Sequence, residues 1–222
     1  MYKLHTIRVT SGIFINYCYL GIDSETKQAF VIDPAWSIDE VLEILNHEGG
    51  NIQGIFLTHS HIDHMNKAVE LAKISNSTIF ISQEEYMYYN LNMPHVCLLN
   101  NNQDIKLGGT IIHAYLTPGH TKGSMCYKVG NKIFTGDTLF IEGCGMCDAK
   151  GGDAIEMFES LSFLKTIILE NDYIYPGHAY VALVGQKAKY MYDNNIYMCI
   201  NDMNTFISFR NRKDQNNIFH FI

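Results

Sequence analysis

Along the first third of the chain, short continuous apolar runs alternate with segments in which apolar residues recur every three or four positions, as in a helix. Four runs rich in β-branched and aromatic residues predict strands: NYCYLGI (16–22), QAFVIDP (28–34), GIFLT (54–58) and TIFIS (78–82). Ser37 with Glu40 three residues later predicts a helix that begins with a capping box and ends at Gly49-Gly50. The apolar spacing over 65–74 predicts a second helix. Strands and helices therefore alternate in this part of the chain.

The second half contains more strands, and their spacing is typical of hairpins. Three runs predict strands that are separated only by short turns: TIIHAYLT (110–117), SMCYKV (124–129) and NKIFTGD (131–137). A helix over about 153–168, a strand at YIYP (173–176) and a last helix from about Ala182 follow. Because hairpin spacing implies antiparallel pairing, two sheets with helices outside them explain the pattern better than one parallel sheet. We predict a single domain over 1–222, in which a C-terminal helix and basic tail, about 186–222, pack on the body.

Composition and charge narrow the classes of function. The 222 residues are 47% hydrophobic and 18% charged, as in globular proteins, and the net charge of −7 disfavours general binding to nucleic acid. No apolar run is long enough to cross a bilayer, and the start, MYKLHTIRVTSG, lacks the apolar core of a signal peptide. Six cysteines without such a signal indicate reduced thiols. We therefore predict a cytoplasmic protein without a nucleic-acid or membrane partner, and the oligomeric state stays open.

Histidines and aspartates follow the predicted strands. THSHIDHM (58–65) holds three histidines and an aspartate: His59, His61, Asp63 and His64. Residues i and i+2 of a strand share a face, so the first two imidazoles can converge where the strand ends. Three later loops repeat the arrangement: TPGHT with His120, TGDT with Asp137 and YPGHAY with His178. Because imidazole and carboxylate are typical ligands of zinc, the pattern predicts a metal site at the strand ends. Asp33, also at a strand end, is either a supporting partner of a ligand or a turn residue.

The motifs THSHIDH, PGHT, GDT and PGH, in this order, resemble the metallo-β-lactamase superfamily over about residues 10–185. The resemblance implies an α/β fold, the αββα sandwich, with two mixed β-sheets flanked by helices and a metal site at one edge. It implies two zinc ions (Zn²⁺) per chain, the first held by His59, His61 and His120, the second by Asp63, His64 and His178, and Asp137 as a bridge. Two metals about 3.5 Å apart activate water at neutral pH, and Asp63 is expected to orient that water as the catalytic carboxylate.

The stretch TGDTLFIEGCGMCDAKGGD (135–153), with the later PGHAY, resembles the glyoxalase II branch, whose members hydrolyse thioesters. That branch usually follows GCG with a lysine and an aromatic pair that grip glutathione. Met146, Cys147 and Asp148 stand there in this chain, so the resemblance does not extend to the glutathione grip. Cys144 and Cys147 have C-x-x-C spacing, which we interpret as incidental because no second pair accompanies it.

GDTLFIEGCGMC (136–147) and FISFRNRKDQNNIFHF (206–221) look like the zinc-dependent hydrolases encoded with bacterial (trans-acyltransferase) polyketide synthases. These are thought to cleave acyl groups from the phosphopantetheine arm of acyl carrier proteins. The resemblance implies that the partner is an acyl carrier protein or a small acyl thioester. The expected substrate-binding residues are Met146, Tyr180, Arg210, Arg212 and Lys213. The last three form a basic cluster suited to a phosphate or an acidic carrier, and the alternative is a solvated charged turn.

Three rival functions remain at this point. One is a hydroxyacylglutathione hydrolase with an altered substrate grip. Another is a mononuclear iron persulfide dioxygenase, which the predicted ligand set does not separate from a hydrolase. A scaffold that has lost its metal is disfavoured, because no predicted ligand is missing.

Overall fold

Two mixed β-sheets lie face to face with helices on their outer faces in the computed structural model, which describes residues 1–213 and 221. The first sheet pairs its strands in chain order, antiparallel from β1 to β3 and parallel from β3 to β6. Its strands are β1 (Tyr2–Ser11), β2 (Phe14–Asp23), β3 (Gln28–Ile32), β4 (Asn51–Phe56), β5 (Thr78–Ser82) and β6 (Val96–Leu99).

The second sheet has the order β12-β11-β10-β9-β8-β7, and only β10 and β11 pair in parallel. Its strands are β7 (Gln103–Leu107), β8 (Thr110–Leu116), β9 (Met125–Val129), β10 (Lys132–Gly136), β11 (Tyr173–Pro176) and β12 (Gln186–Lys187). The helices are α1 (Asp39–Glu48), α2 (Ile62–Met65), α3 (Ala68–Ser75), α4 (Gln83–Tyr88), α5 (Ala154–Ile167), α6 (Ala188–Asn194), α7 (Ile196–Cys199) and α8 (Met203–Arg210). The predicted αββα sandwich is confirmed.

Three layers of buried apolar residues hold the sandwich together. Aromatic rings fill the space between the sheets: Tyr19, Phe30, Phe56, Tyr127 and Phe134. The outer face of the first sheet packs against α1 and α3, and that of the second packs against α5 and α8. A strand buried on both faces needs apolar residues at every position, which is why QAFVI lacks polar alternation.

Two local predictions were wrong. Ser37 does not cap α1; the helix begins after Ile38 without a side-chain cap, and the Ser37 hydroxyl donates to Asp39 instead. The last predicted helix does not begin near Ala182, because Gly185 has a left-handed backbone (φ 81°) and its N–H donates to Ile174 of β11. The chain therefore joins the sheet edge as β12 before α6 begins at Ala188.

The end of the chain packs on the second sheet as far as it is described. Phe206 of α8 lies in the same buried cluster as α5, and its ring centroid is 5.5 Å from that of Phe158. Residues 214–220 and 222 of the predicted tail lie outside the described residues. Within the described ranges, no helix has both the length and the apolar character needed to span a bilayer.

Candidate metal centre

The seven predicted ligands lie together where strands of both sheets end. Their donor atoms form three overlapping groups, and within each group the atoms lie within 4.8 Å of one another. The groups are His59, His61 and His120; His59, His64 and Asp137; and Asp63, His64 and His178. The first and third are the two sets that the resemblance implied. We call the seven residues the metal centre.

His59 and His61 converge, but not through strand alternation as predicted. Strand β4 ends at Phe56, and His61 caps the short helix α2. The loop nevertheless places His59 Nε2 3.1 Å from His61 Nδ1, which lies 3.0 Å from His120 Nε2. Three imidazole nitrogens thus meet at one point.

The outer nitrogen of several imidazoles is committed to a hydrogen bond that points away from the centre. Nδ1 of His120 lies 2.8 Å from the carbonyl oxygen of Met146, and Nδ1 of His178 lies 2.6 Å from that of Ile15. A carbonyl oxygen only accepts, so each Nδ1 carries the proton. In the neutral ring, Nε2 then presents a lone pair to the centre, which is the state that binds a metal.

Asp137 lies between the two implied metal sets. Its Oδ1 is 3.3 Å from His64 Nε2, and its Oδ2 is 3.6 Å from His120 Nε2 and 3.5 Å from His178 Nε2. Oδ1 is buried and accepts no hydrogen bond within the described residues. Carboxylate oxygens and imidazole lone pairs repel at such distances, so a cation among them suits this donor set.

The pKa shifts fit the same conclusion. Burial and repulsion from neighbouring imidazoles lower the pKa of His59 well below its usual value, which keeps that ring neutral. Burial also disfavours charge on His64, but Asp137, Asp33 and Asp63 outweigh it and raise the pKa of His64 to about 10. A site that attracts a proton this strongly also attracts a metal cation, and the cation would replace the proton.

Asp63 is held as a carboxylate. Burial works against its ionisation, but the proximity of His178 and His64 and the hydrogen bond from Asn16 lower the pKa of Asp63 far below its usual range. Its Oδ2 lies 3.4 Å from His178 Nε2 and accepts a hydrogen bond of 3.1 Å from Asn16 Nδ2. Because the carboxyl group is so acidic, it is a poor general base, and the role of a metal ligand that orients water suits it better.

Asp33 supports ligands of both implied sets, and its contacts favour the supporting role over that of a turn residue. Its Oδ2 accepts from His64 Nδ1 at 2.9 Å and from the Thr58 hydroxyl at 2.6 Å. Because that hydroxyl donates to Asp33, it accepts from His59 Nδ1, 3.0 Å away. The buried carboxylate thereby fixes the orientation of His64 directly and that of His59 through Thr58.

Asp33→Asn should weaken zinc binding about 10- to 100-fold, because the amide has one acceptor oxygen, which cannot replace both the Oδ2 that accepts from His64 and the Thr58 hydroxyl and the Oδ1 that accepts from the Thr58 N–H. Asparagine tolerates the left-handed backbone of this position (φ 50°), so the change acts on the side chain. Competition with a chromophoric chelator measures the zinc affinity. Asp104→Asn is the matched control, since Asp104 also accepts from an imidazole, that of His113, but is exposed. Equal zinc affinity in the two variants would show that His64 keeps its orientation without Asp33.

Two buried polar residues of the site were not predicted from the sequence. Asn16 of β2 donates to Asp63, and its Nδ2 lies 3.4 Å from Nε2 of both His64 and His178. The sequence signal for Asn16 was a polar residue near the start of an otherwise largely apolar strand, in a position that the fold buries. Glu85 of α4 is fully buried, but its sequence context of QEEY is that of a surface helix.

Glu85 connects the two loops that carry the first set of imidazoles. Its Oε1 accepts from the backbone N–H and the hydroxyl of Ser60, both at 2.7 Å. Its Oε2 accepts from the Thr121 hydroxyl at 2.9 Å and from Gly123 N–H at 2.8 Å. Ser60 stands between His59 and His61, and Thr121 follows His120, so one carboxyl group that accepts from four donors fixes both loops.

Two glycines in the motifs are required by close approach. A Cβ on Gly177 of PGH would lie 2.4 Å from His64 Cε1 and 2.6 Å from Asp137 Oδ1. A Cβ on Gly145 of GCG would lie 2.0 Å from the Asp137 carbonyl oxygen. Any side chain at either position would displace the metal centre.

Four of the five predicted substrate-binding residues, Met146, Arg210, Arg212 and Lys213, line a cavity of about 460 Å³ formed by residues 146–148 and 210–213, whereas Tyr180 does not line it. Met146 connects this cavity to the metal centre, because its carbonyl oxygen accepts from His120. Tyr180 lies near His178, with Phe140 and Phe221 packed around both rings. Burial first, and then Asp137, raise the pKa of Tyr180 far above its usual range.

The basic cluster is not a uniform surface patch. Arg210 is only 6% exposed, and its Nη1 donates to the Tyr197 hydroxyl at 3.0 Å. Arg212 donates to the same oxygen at 2.9 Å, although it is exposed, as is Lys213. The first guanidinium therefore forms the inner wall of the cavity, and the other two cations form its rim.

The C-x-x-C pair lies beside this cavity. Both thiols are buried, and burial raises the pKa of Cys147 to about 11 even though Arg210 lies nearby. Protonated buried thiols are poor metal ligands and poor nucleophiles, which agrees with the interpretation that the spacing is incidental.

Comparison with known proteins gives consistent results. The chain is 40% identical over 220 residues to the "Probable polyketide biosynthesis zinc-dependent hydrolase BaeB" of Bacillus velezensis, covering 99% of this chain and 98% of that protein. It is 33% identical over 178 residues to the "Hydroxyacylglutathione hydrolase, cytoplasmic isozyme" of Saccharomyces cerevisiae, covering 76% of this chain and 65% of that protein.

A solved structure shares the whole architecture. The crystal structure of ETHE1 from Myxococcus xanthus superposes with a TM-score of 0.84 at 24% identity, covering 95% of this chain and 92% of that one. At this identity the likeness concerns the fold alone. The sequence pattern of the Metallo-beta-lactamase superfamily matches residues 12–178, a span that contains all seven residues of the metal centre. This chain belongs to the metallo-β-lactamase superfamily.

Proposed function

We propose that this protein is a zinc-dependent hydrolase of acyl thioesters, acting on acyl groups carried by the phosphopantetheine arm of acyl carrier proteins in polyketide biosynthesis. The observation that carries the proposal is the convergence of five imidazoles and two carboxylates into two overlapping donor sets. Nitrogen and oxygen donors of this kind suit zinc, and two zinc ions per chain fit the two sets that Asp137 joins. Zinc lowers the pKa of bound water to about 7 and polarises carbonyl groups.

The names of relatives support the reaction class. The Bacillus velezensis protein is called a zinc-dependent hydrolase of polyketide biosynthesis, and it matches this chain over nearly its whole length. The yeast relative is called a hydroxyacylglutathione hydrolase, and hydroxyacylglutathione is itself a thioester. Both names are those of hydrolases, and the thioester substrate is taken from the name of the yeast relative alone.

The residues of the chain have separate tasks in this reaction. Water adds its oxygen to the thioester carbonyl carbon, the C–S bond breaks, and the products are a carboxylate, a thiol and a proton. Asp63, held ionised by its neighbours, orients the water and accepts a hydrogen bond from it. Asn16 fixes Asp63 from the β2 side, while Asp33 and Glu85 keep the imidazoles in place.

The cavity beside His120 suits the phosphopantetheine arm. Among the described residues that line it, Arg210, Arg212 and Lys213 bring three cations, and Asp148 brings one carboxylate. A phosphate placed there would accept charge-assisted hydrogen bonds from the exposed cations at the rim. Met146 adds an apolar surface between the phosphate position and the metal centre, where the arm itself would lie. We propose that these residues, with Tyr180, bind the substrate.

The test is a comparison of three substrates with the purified zinc-loaded protein: an acyl carrier protein bearing an acyl group, the same acyl group on pantetheine, and S-lactoylglutathione. We expect the highest kcat/KM for the carrier-bound ester, because only it offers both the phosphate and an acidic protein surface. S-Lactoylglutathione as the best substrate would assign the protein to the glutathione branch. Release of thiol is followed with a thiol-reactive dye.

A further inference from the structure

Trp36 is the sole tryptophan of the chain, and its backbone conformation is unusual. It lies between β3 and α1 with φ 60°, in the left-handed region that bulky residues seldom adopt. Its backbone N–H donates to Asn66 Oδ1 at 2.8 Å, and its indole Nε1 donates to Asn16 Oδ1 at 2.8 Å. One side-chain amide thus holds the strained backbone of Trp36 and another holds its indole, and such strain is common at ligand-binding sites.

These contacts place the indole at the edge of the metal centre. Asn16, which accepts from Trp36, also donates to Asp63 and lies next to His178. The ring of Phe14 packs beside the indole, with centroids 6.0 Å apart, and both rings are half-buried. We call Phe14 and Trp36 the aromatic pair.

The aromatic pair and the basic cavity offer different chemistry to a substrate. The cavity adjoins His120 through Met146, whereas the aromatic pair adjoins Asp63 and His178 through Asn16. The segments that carry the pair, SGIFINY (11–17) and PAWS (34–37), contain no charged residue. Ile13, at the tip of the same hairpin, is 67% exposed. An apolar surface therefore lies at the metal centre, outside the cationic cavity.

We propose that the aromatic pair binds the acyl group of the substrate and selects extended apolar acyl chains. The inference rests on the proposed function, because a thioester carbonyl carries two substituents. If the arm with its phosphate occupies the cationic cavity, the acyl chain extends from the same carbonyl toward the other accessible flank, which is aromatic. Aromatic rings bind alkyl chains by burying apolar area, and each buried methylene improves binding about fourfold.

The test uses S-acyl-pantetheine thioesters from acetyl to decanoyl, and the readout is the slope of log kcat/KM against chain length. In the wild-type protein we expect kcat/KM to rise by roughly tenfold or more from acetyl to octanoyl. Phe14→Ala and Trp36→Ala should flatten the slope, and Trp36→Phe should keep most of it. Tyr190→Ala, which removes another exposed ring, on α6, should leave it unchanged.

The slope separates recognition from disturbance of the metal centre. Loss of the hydrogen bond from Trp36 to Asn16 lowers kcat/KM by the same factor for every acyl chain length. Loss of acyl recognition lowers kcat/KM more for long chains than for short ones. Equal slopes in the wild type and in both alanine variants would overturn the inference.

A second measurement does not require turnover. The decyl thioether of pantetheine, which cannot be hydrolysed, should shift the emission of Trp36 to shorter wavelength, and pantetheine alone should not. If the wild-type protein hydrolyses no thioester, the proposed function fails, and the shift in Trp36 emission alone tests whether the aromatic pair binds an apolar chain. A shift with the decyl probe then supports an apolar ligand at the aromatic pair, and no shift overturns it.

Discussion

Asp137→Ala should reduce thioester hydrolysis by about three orders of magnitude or more, equivalent to roughly 4 kcal/mol of transition-state stabilisation. Asp137 is the carboxylate whose two oxygens lie within 3.6 Å of His64, His120 and His178. Its removal takes a ligand from both implied sets and leaves three imidazoles to repel one another. We therefore expect loss of metal as well as loss of rate, and elemental analysis should find close to two zinc ions in the wild type and fewer in the variant.

Asp193→Ala is the control for this variant, since Asp193 is an exposed residue of α6 that contacts only Lys189 among the ion pairs of the described residues. It should keep both the metal content and the rate. Full turnover and two zinc ions in Asp137→Ala would show that the ligand assignment is wrong. A wild-type preparation that is active with one iron and consumes oxygen would refute the hydrolase in favour of a dioxygenase.

Arg212→Glu/Lys213→Glu should raise KM for the acyl-carrier protein about 10- to 100-fold while kcat on acyl-pantetheine stays near the wild-type value. Both side chains are exposed at the rim of the cavity, where the phosphate or the acidic carrier would approach. Arg210 is left intact because it is buried and its replacement would disturb the packing of α8, whereas Arg212, which donates to the same Tyr197 oxygen, is exposed. The effect should be larger at low ionic strength, since salt screens exposed charges.

The matched control reverses two other exposed lysines, Lys187 and Lys189, which changes the net charge by the same amount at the start of α6. A similar rise in KM in this control would mean that the carrier responds to the overall charge of the protein. An unchanged KM in Arg212→Glu/Lys213→Glu would remove the basic rim from the substrate site.

Much of the sandwich was predictable because most of its buried strands are short runs of apolar residues that can be recognised without knowing their partners. QAFVI, GIFLT and TIFIS are buried on both faces, so their apolar composition alone identified them. The edge strand β1 was missed, because only Ile7 and Val9 of its ten residues are buried and most of the others are polar. The false cap at Ser37 shows a different limit, since its hydroxyl accepts from the N–H of Asp39 and donates to the Asp39 carboxylate, and so forms no cap with Glu40.

The metal centre was predictable for a similar reason. Its ligands stand in short motifs after strands, and the residue types themselves indicate the chemistry. Glu85 and Asn16 could not be found this way, because the partners of their side chains lie at least 20 residues away and depend on how the chain packs. The burial of Arg210 was also hidden, since a run of basic residues in a polar segment ordinarily indicates solvent exposure.

Each implied metal set takes ligands from both halves of the sandwich. His59, His61, Asp63 and His64 follow β4 of the first sheet, whereas His120, Asp137 and His178 follow strands of the second. A metal ion in either set would therefore act as a cross-link between the sheets, comparable to a disulfide that only the folded chain can form. Metal binding then adds to the free energy of unfolding. The gain is about 4 kcal/mol when the free metal concentration is a thousand times the dissociation constant. Metal supply would thus set the lifetime of the folded protein as well as its activity.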